Sequence, residues 1–237
     1  MSTQKQADDL NGLAEIPVYG QGVNGDMVKY SFQIFRRYIK PGPILELGPA
    51  EGFMTELIVS LGNELVLVDG ASIFCDRLKQ KFPHIGVVCS LFEEFYTEKK
   101  FQTIILGHVL EHVEDPVNVL KHVKQFLTRD GLILAAVPNA HSIHRQVAVS
   151  MGLLTSEKEF SQQDKQHAHR RIYTFKEFES DFKRAGLDVK KLGGYWLKPL
   201  SNAQIEKDWT PQMISAFMRL GEKYPEIAAE IYIVAGK

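Results

Sequence analysis

The chain has 237 residues, of which 44% are hydrophobic and 24% are charged. This length and composition predict a globular protein with one main domain rather than two domains of equal size. The 28 basic and 29 acidic residues leave a formal charge of −1. Electrostatics therefore gives no reason to expect a nucleic acid or an anionic membrane as a partner.

Cysteine content and hydropathy indicate the expected compartment. Cys75 and Cys89 are too few for a disulfide framework and poorly placed for a zinc site. Cys89 lies in an apolar run and is expected to be a small core residue. The sequence has no apolar stretch of about 18 residues and no charged-then-apolar leader. A reducing cytoplasm is therefore the expected location.

The first half of the chain alternates between predicted strands and helices. Residues 1–24 are polar and are expected to form a flexible segment, after which a helix is predicted from Asp26. Runs rich in Val, Ile and Leu predict strands at 44–48, 65–69, 85–89, 102–107 and 131–137. Amphipathic patterns predict helices at 52–61, 71–81 and 116–128. This alternation favours βαβ units and a parallel sheet that is covered on both faces.

The second half of the chain is less regular. Segment 138–172 interrupts the alternation, and Thr174 then begins a helix as its N-cap, with Glu177 at the capping-box position. Strands at 187–192 and 230–235 are separated by a long connection over 193–225. Ligands of open parallel sheets bind at the carboxyl ends of the strands. Segments 138–172 and 193–225 are therefore expected to form a lid and a substrate wall of a single domain over 25–237.

A glycine-bearing turn follows the first predicted strand. It reads Glu46-Leu47-Gly48-Pro49-Ala50-Glu51-Gly52-Phe53, and Asp69 ends the next apolar run. A strand that runs through such a turn into a helix brings backbone N–H groups close to a ligand, although a tight connection without a ligand is the alternative. The dinucleotide motif G-x-G-x-x-G is absent at this turn, which disfavours NAD. The two acids favour another cofactor that contains adenosine.

Four motifs in order resemble one family. The spacing Glu46-x-Gly48-x-Ala50-x-Gly52 resembles the first motif, E/D-x-G-x-G-x-G, of class I S-adenosylmethionine-dependent methyltransferases, with alanine for the middle glycine. Segments 90–93, 104–116 (which includes Leu-Glu-His) and 130–139 are similar to later motifs of that family. The resemblance covers 44–140 well and extends loosely to 192. It implies an α/β, Rossmann-like fold. The expected sheet is doubly wound and mostly parallel, with seven strands of which the last is antiparallel, and helices lie on both faces.

The resemblance also implies S-adenosyl-L-methionine as the cofactor. It places Asp69 on the ribose hydroxyls, because a carboxylate accepts two O–H donors at once, and Glu46 near the methionine amino group. Segment 90–93 would flank the adenine, although a Ser90 that begins a helix is an equal alternative. The predicted cofactor contacts are Glu46, Gly48, Ala50, Gly52, Phe53, Asp69, Gly70, Leu91, Phe92, Gly107, His108 and Tyr19.

Within that superfamily, the chain resembles small-molecule methyltransferases related to those of ubiquinone biosynthesis and of sugar or natural-product tailoring. The sequence His-Arg-Arg-Ile-Tyr-Thr over 169–174 is similar to an element of that group. Histidine is the natural base near neutral pH, so His112 and His144 are the predicted catalytic residues, with a helix-packing role as the alternative for His112. The predicted substrate contacts are His141, His169, Arg170, Tyr173 and Asn202. Arg145, Arg170 and Arg171 would hold an acidic substrate or form a solvated basic face.

The predicted activity is transfer of a methyl group to an oxygen, and less favourably a nitrogen, of a small-molecule acceptor such as a sugar or natural-product intermediate. A non-catalytic protein that keeps the fold as a binding or scaffolding partner is the alternative. No metal site is predicted, because no acidic cluster is evident. A nucleic acid and a membrane are not expected partners, and a homodimer is a candidate assembly.

Overall fold

A computed structural model describes residues 20–237, so the predicted cofactor contact at Tyr19 lies outside the described residues. Its strands are β1 (Ile44–Leu47), β2 (Leu65–Asp69), β3 (Gly86–Cys89), β4 (Phe101–Gly107), β5 (Leu127–Pro138), β6 (Asp188–Tyr195) and β7 (Glu230–Gly236). They form one sheet in the order β3-β2-β1-β4-β5-β7-β6. The neighbours from β3 to β5 pair in parallel, whereas β7 is antiparallel to both β5 and β6. This arrangement confirms the predicted Rossmann-like sheet.

Helices cover both faces of the sheet. They are α1 (Gly22–Arg36), α2 (Phe53–Val59), α3 (Ser72–Lys81), α4 (Pro116–Val123), α5 (Ile143–Ser150), α6 (Gln162–Gln166), α7 (Phe175–Arg184), α8 (Asn202–Asp208) and α9 (Pro211–Gly221). On one face, a buried apolar cluster joins α1, α2, α3, α8 and α9 to the sheet. On the other face, a second cluster joins α4 and α7 to the sheet. Every residue of β1 is buried, because this strand has strands on both sides and helices on both faces.

Several predicted boundaries are wrong. Helix α1 begins at Gly22 rather than at Asp26. Helix α4 ends at Val123 rather than at 128, and a 3₁₀ turn (Lys124–Phe126) leads directly into β5 at Leu127. The pairing of β5 with β4 shifts register after Leu127, so the strand extends beyond the regular apolar run that predicted its start.

The two segments that the sequence predicted as irregular contain helices. Segment 138–172 includes α5 and α6, and segment 193–225 includes the end of β6, α8 and α9. Capping boxes formed by Ser161 with Asp164 and by Ser201 with Gln204 begin α6 and α8. Helices α6 and α8 have too few apolar residues to show a clear period, so only their caps would have predicted them.

Two further observations concern the cysteines and the membrane. Cys75 is buried but Cys89 is exposed at the end of the edge strand β3, so the prediction that Cys89 is a core residue is wrong. None of the helices within residues 20–237 is long and apolar enough to cross a membrane.

Candidate active site

A cavity opens at the carboxyl ends of β1, β2 and β4, where the sequence predicted a ligand. Its walls come from the turns after these strands and after β3, from the second turn of α1 and from the first turn of α2. The predicted cofactor contacts that line it are Glu46, Gly48, Ala50, Phe53, Asp69, Gly70, Leu91, Phe92, Gly107 and His108. The predicted catalytic residue His112 also lines it.

The turn after β1 has three residues in the left-handed region of backbone conformation. Gly48 has φ 65°, Ala50 φ 48° and Gly52 φ 77°. A Cβ on Gly48 would lie 2.7 Å from the Cγ2 atom of Val109, so glycine lets the turn approach the segment after β4. Gly52 is the N-cap of α2 and packs away from the cavity against Phe82, which differs from its predicted place at the cofactor.

Asp69 joins the turn after β1 to the end of β2. Its Oδ2 atom accepts a hydrogen bond from Ala50 N at 3.2 Å, and its Oδ1 atom accepts one from Ala71 N at 2.9 Å. Burial raises the pKa of Asp69 to about 6, against the opposing effect of these backbone donors. Each carboxylate oxygen still has a free lone pair for a hydroxyl donor.

Glu46 is buried at the floor of the same cavity. Its Oε2 atom accepts a hydrogen bond from Thr55 Oγ1 at 2.7 Å. The pKa of Glu46 is raised to about 7. Burial is the main cause, the hydrogen bond from Thr55 opposes it, and the charge of Asp69 adds to the increase. A carboxyl group with this pKa is poised to ionise when a cation binds beside it.

Leu91 and Phe92, which follow β3, also line the cavity. Residues 92–94 adopt a turn, with Glu94 N donating to Leu91 O at 3.1 Å, and no helix begins at Ser90. The alternative that Ser90 is a helix start is therefore wrong. The two apolar side chains are placed to pack against a flat ring inside the cavity.

A group of buried histidines and acids lies beside the cavity, after β4. His108 Nδ1 lies 3.4 Å from Glu111 Oε1 and 3.8 Å from Glu230 Oε2. Burial opposes the charged imidazolium, but the two carboxylates outweigh it and raise the pKa of His108. Burial also opposes the Glu111 carboxylate, but the neighbouring histidines outweigh it and lower the pKa of Glu111. Burial lowers the pKa of His112 to about 4, so His112 is neutral at pH 7.

His169 joins this group from the segment that precedes α7. Arg170 N donates to Glu111 O at 2.8 Å, which brings the two segments together. The rings of His112 and His169 then meet edge to face at 4.9 Å between centroids. His169 Nδ1 lies 3.0 Å from Asp164 Oδ1, and Asp164 Oδ2 accepts a hydrogen bond from Arg145 at 3.0 Å.

The remaining predicted residues lie away from the cavity. His144 is half-buried near Lys198 and Arg145. Its pKa is held well below the usual range, mainly by burial and also by the charges of these two cations. His141 is exposed and lies 2.7 Å from Glu157 Oε2. Arg170 is exposed.

Two other predicted substrate contacts have structural partners. The Tyr173 hydroxyl donates to Asp181 Oδ2 at 3.0 Å, and its ring packs against Phe178 in the core. Asn202 accepts a hydrogen bond from Lys198 Nζ at 2.9 Å and donates to Asn24 Oδ1 at 2.9 Å. These contacts account for both residues without a substrate.

Arg145 and Arg171 both have partners within the protein. Arg171 donates to the carbonyl oxygens of Leu110, Val113 and Glu114 at 2.7, 2.5 and 2.8 Å. Arg145 is buried and pairs with Asp164. In each case the guanidinium group donates to carbonyl or carboxylate acceptors of the protein, which gives it a structural role.

Several residues at this site were not predicted. Met27 and Val28 of α1 line the cavity, as does His167. Glu230 is buried at the start of β7 beside His108, and this burial is the main reason that the pKa of its carboxyl group is raised. Lys198 is also buried, which lowers its pKa to about 8. They come from distant parts of the chain and belong to no motif, so only the folded arrangement brings them together.

The sheet order, the glycine turn and the two buried acids define an α/β protein of the Rossmann-like, nucleotide-binding class. The chain belongs to the methyltransferase domain family, whose profile matches residues 29–192.

The similar curated proteins carry names of the same kind. The chain is 23% identical over 97 residues to a probable S-adenosylmethionine-dependent methyltransferase of Mycobacterium tuberculosis, covering 40% of this chain and 35% of that protein. It is 26% identical over 99 residues to an uncharacterized methyltransferase of Alkaliphilus oremlandii, covering 41% of this chain and 46% of that protein. The match thus spans less than half the length of either relative.

Solved structures share the fold across nearly the whole chain. A possible histamine N-methyltransferase of Thermotoga maritima superposes with a TM-score of 0.65 at 13% identity, covering 91% of each chain. The plantazolicin methyltransferase in complex with S-adenosylhomocysteine superposes with a TM-score of 0.60 at 16% identity, covering 100% of each chain. At these identities the likeness concerns the fold.

Proposed function

We propose that this protein is an S-adenosylmethionine-dependent methyltransferase. The observation that supports this best is that two buried acids, Glu46 and Asp69, face one cavity on either side of the glycine turn. A cofactor with a ribose diol for Asp69 and an ammonium group for Glu46 would match both acids. The names of the two similar curated proteins, one of which specifies this cofactor, agree with that assignment.

The residues present fit such a cofactor. Asp69 is fixed by two backbone N–H donors and keeps lone pairs for the two ribose hydroxyls. Glu46 would become anionic beside the ammonium group of the methionine part. Leu91 and Phe92 would cover the adenine, because they form an apolar wall of the same cavity. When bound, the cofactor supplies an activated methyl group on a sulfonium sulfur.

The proposed acceptor is an oxygen of a small molecule. It would enter beside His108 and His112, which line the cavity after β4. A hydroxyl acceptor must lose its proton, and a polar wall that contains a neutral histidine favours this loss. Of the two histidines predicted as catalytic, only His112 is among the described residues that line the cavity, so the proposal keeps His112 and not His144.

The test is equilibrium binding of S-adenosylhomocysteine to the purified full chain by isothermal titration calorimetry. The wild-type protein should bind, and Asp69→Ala should weaken binding by about 1–3 kcal/mol, the scale of hydrogen bonds to a charged group. Asp76→Ala is the matched control, because Asp76 is an exposed acid on the neighbouring helix α3. No detectable affinity of the wild-type protein would refute the proposal. Binding without turnover on a panel of hydroxyl acceptors would favour the non-catalytic alternative.

A further inference from the structure

We infer that Glu111, His112 and His169 bind one divalent transition-metal ion beside the cavity. Their potential ligand atoms all lie within 4.8 Å of one another. Ligand atoms at the usual bond length around a tetrahedral ion are separated by about 3.4 Å. The ligand atoms therefore need to approach one another by at most about 1.4 Å around an ion, a movement that rotamer adjustments supply.

The Glu111 carboxylate gives the first independent support. It is 1% exposed, and neither of its oxygens accepts a hydrogen bond from any residue within 20–237. A carboxylate that is removed from water is costly unless it is paired or coordinates a metal. The nearest cationic group is His108 Nδ1 at 3.4 Å, which leaves most of the carboxylate's acceptor capacity unused.

The second support is the orientation of His169. Its Nδ1 atom lies 3.0 Å from Asp164 Oδ1, so Nε2 is the ring atom left to bind a ligand. A carboxylate that holds the far nitrogen of a histidine is typical of histidines that coordinate metals. Asp164 is itself held by Arg145 and by the Ser161 hydroxyl. His169 is therefore already fixed in one orientation beside Glu111.

The donor set indicates the kind of ion. Two imidazoles and one carboxylate suit zinc, cobalt or iron better than magnesium or calcium, which prefer oxygen ligands. Three protein ligands also leave at least one coordination position open, as in catalytic sites. Because His112 lines the cavity, an open position there could take a hydroxyl oxygen of the acceptor, and this last point rests on the proposed function. On this assignment His112 is a metal ligand rather than the base, and the ion would favour loss of the hydroxyl proton by lowering the pKa of the bound hydroxyl.

The experiment is a titration of the chelator-treated full chain with cobalt(II), followed by visible absorption, and with zinc(II), followed by calorimetry. One ion should bind per chain, with cobalt d–d bands that report histidine ligands. Glu111→Gln and His169→Ala should weaken binding by roughly 100-fold or more, beyond the effect of losing an outer partner. His141→Ala is the control, because it removes an exposed histidine that also contacts a glutamate.

Asp164→Asn tests the positioning role of Asp164. It should weaken cobalt binding by about 10–100-fold while the spectrum keeps the features of the same ligands. Thermal melting of each variant checks its fold. If His169→Ala does not fold, Glu111→Gln provides the same test without changing the shape of the side chain.

Absence of stoichiometric binding would overturn the inference, as would equal losses in Glu111→Gln and in the His141→Ala control. S-adenosylhomocysteine is titrated into the same samples. Cofactor binding without metal binding would overturn the metal site alone. Metal binding without cofactor binding would support the site and overturn the proposed function.

Discussion

Ala50 is the residue at which this chain departs from the glycine-rich motif that its first turn resembles. Its φ of 48° lies in the left-handed region, where a Cβ costs about 1–2 kcal/mol. Its backbone N–H is also one of the donors that hold Asp69, so the conformation has a role at the site.

Ala50→Gly should therefore stabilise the protein by about 0.5–1 kcal/mol, because relief of the strain exceeds the added entropy of the unfolded chain. Urea unfolding measures this change. The control is Ala216→Gly, at an exposed position inside α9, which should destabilise the protein by about 1 kcal/mol. A loss of stability in both variants would contradict the left-handed assignment of Ala50.

Glu46 should make cofactor affinity depend on pH. Its pKa of about 7 means that the carboxyl group gains its charge between pH 6 and pH 8. Since the anion is the form that attracts an ammonium group, affinity for S-adenosylhomocysteine should rise across this range. Calorimetry of the Glu46→Gln variant should show weaker binding with a flatter pH dependence. An equally steep rise in that variant would assign the effect to another group.

At the scale of elements, the segment after β4 is held by Arg171 rather than by a helix. The guanidinium of Arg171 donates hydrogen bonds to the carbonyl oxygens of Leu110, Val113 and Glu114. The backbone N–H of Arg170 donates a fourth hydrogen bond to the carbonyl oxygen of Glu111. The side chains of Glu111 and His112 therefore depend on a residue almost sixty positions later in the chain.

Arg171→Ala should destabilise the protein by about 1–3 kcal/mol, because buried carbonyl groups lose their donors. Chemical unfolding of this variant and of Arg170→Ala provides the comparison, since Arg170 is exposed and differs by one position. Equal effects of the two substitutions would mean that the Arg171 contacts add little to stability.

The elements that the sequence predicted correctly are those with a strong local pattern. The strand at 65–69 is a short apolar run that ends at Asp69, and α7 has both a capping box and an apolar face. Helices α6 and α8 were missed because their five and seven residues include too few apolar side chains to mark a face. The capping boxes at Ser161 and Ser201 are visible in the sequence and would have predicted the starts of these two helices.

For the molecule as a whole, the two buried acids should make stability fall as pH rises. Burial raises the pKa of Glu46 from 4.5 to about 7 and that of Asp69 from 3.8 to about 6. Between the unfolded and folded pKa values the native state binds more protons than the unfolded state, so deprotonation disfavours folding. The decrease is expected between about pH 4 and pH 7.

Glu46→Gln should remove much of this dependence and be more stable than wild type at pH 8 by about 2–3 kcal/mol. Urea unfolding at pH 5 and pH 8 measures the difference, with Glu56→Gln as the control because Glu56 is an exposed acid on α2. If the wild-type protein instead gained stability relative to Glu46→Gln between pH 5 and pH 8, the folded state would favour the ionised form of Glu46. Such a result would contradict the burial argument for a raised pKa.

The sequence alone determined the sheet, the position of the cavity and the residues at the first two strand ends. These features are local, since an apolar run, a glycine turn and an acid lie within a few positions of one another and parallel strands end on one edge. Only the tertiary structure decided which histidines meet. A backbone hydrogen bond from Arg170 to Glu111 joins two distant segments, so the ring of His112 meets that of His169. His144 does not line the cavity, although it lies nearer to His169 in sequence. Spacing along a chain does not encode such contacts, because they depend on how loops pack after the sheet has formed.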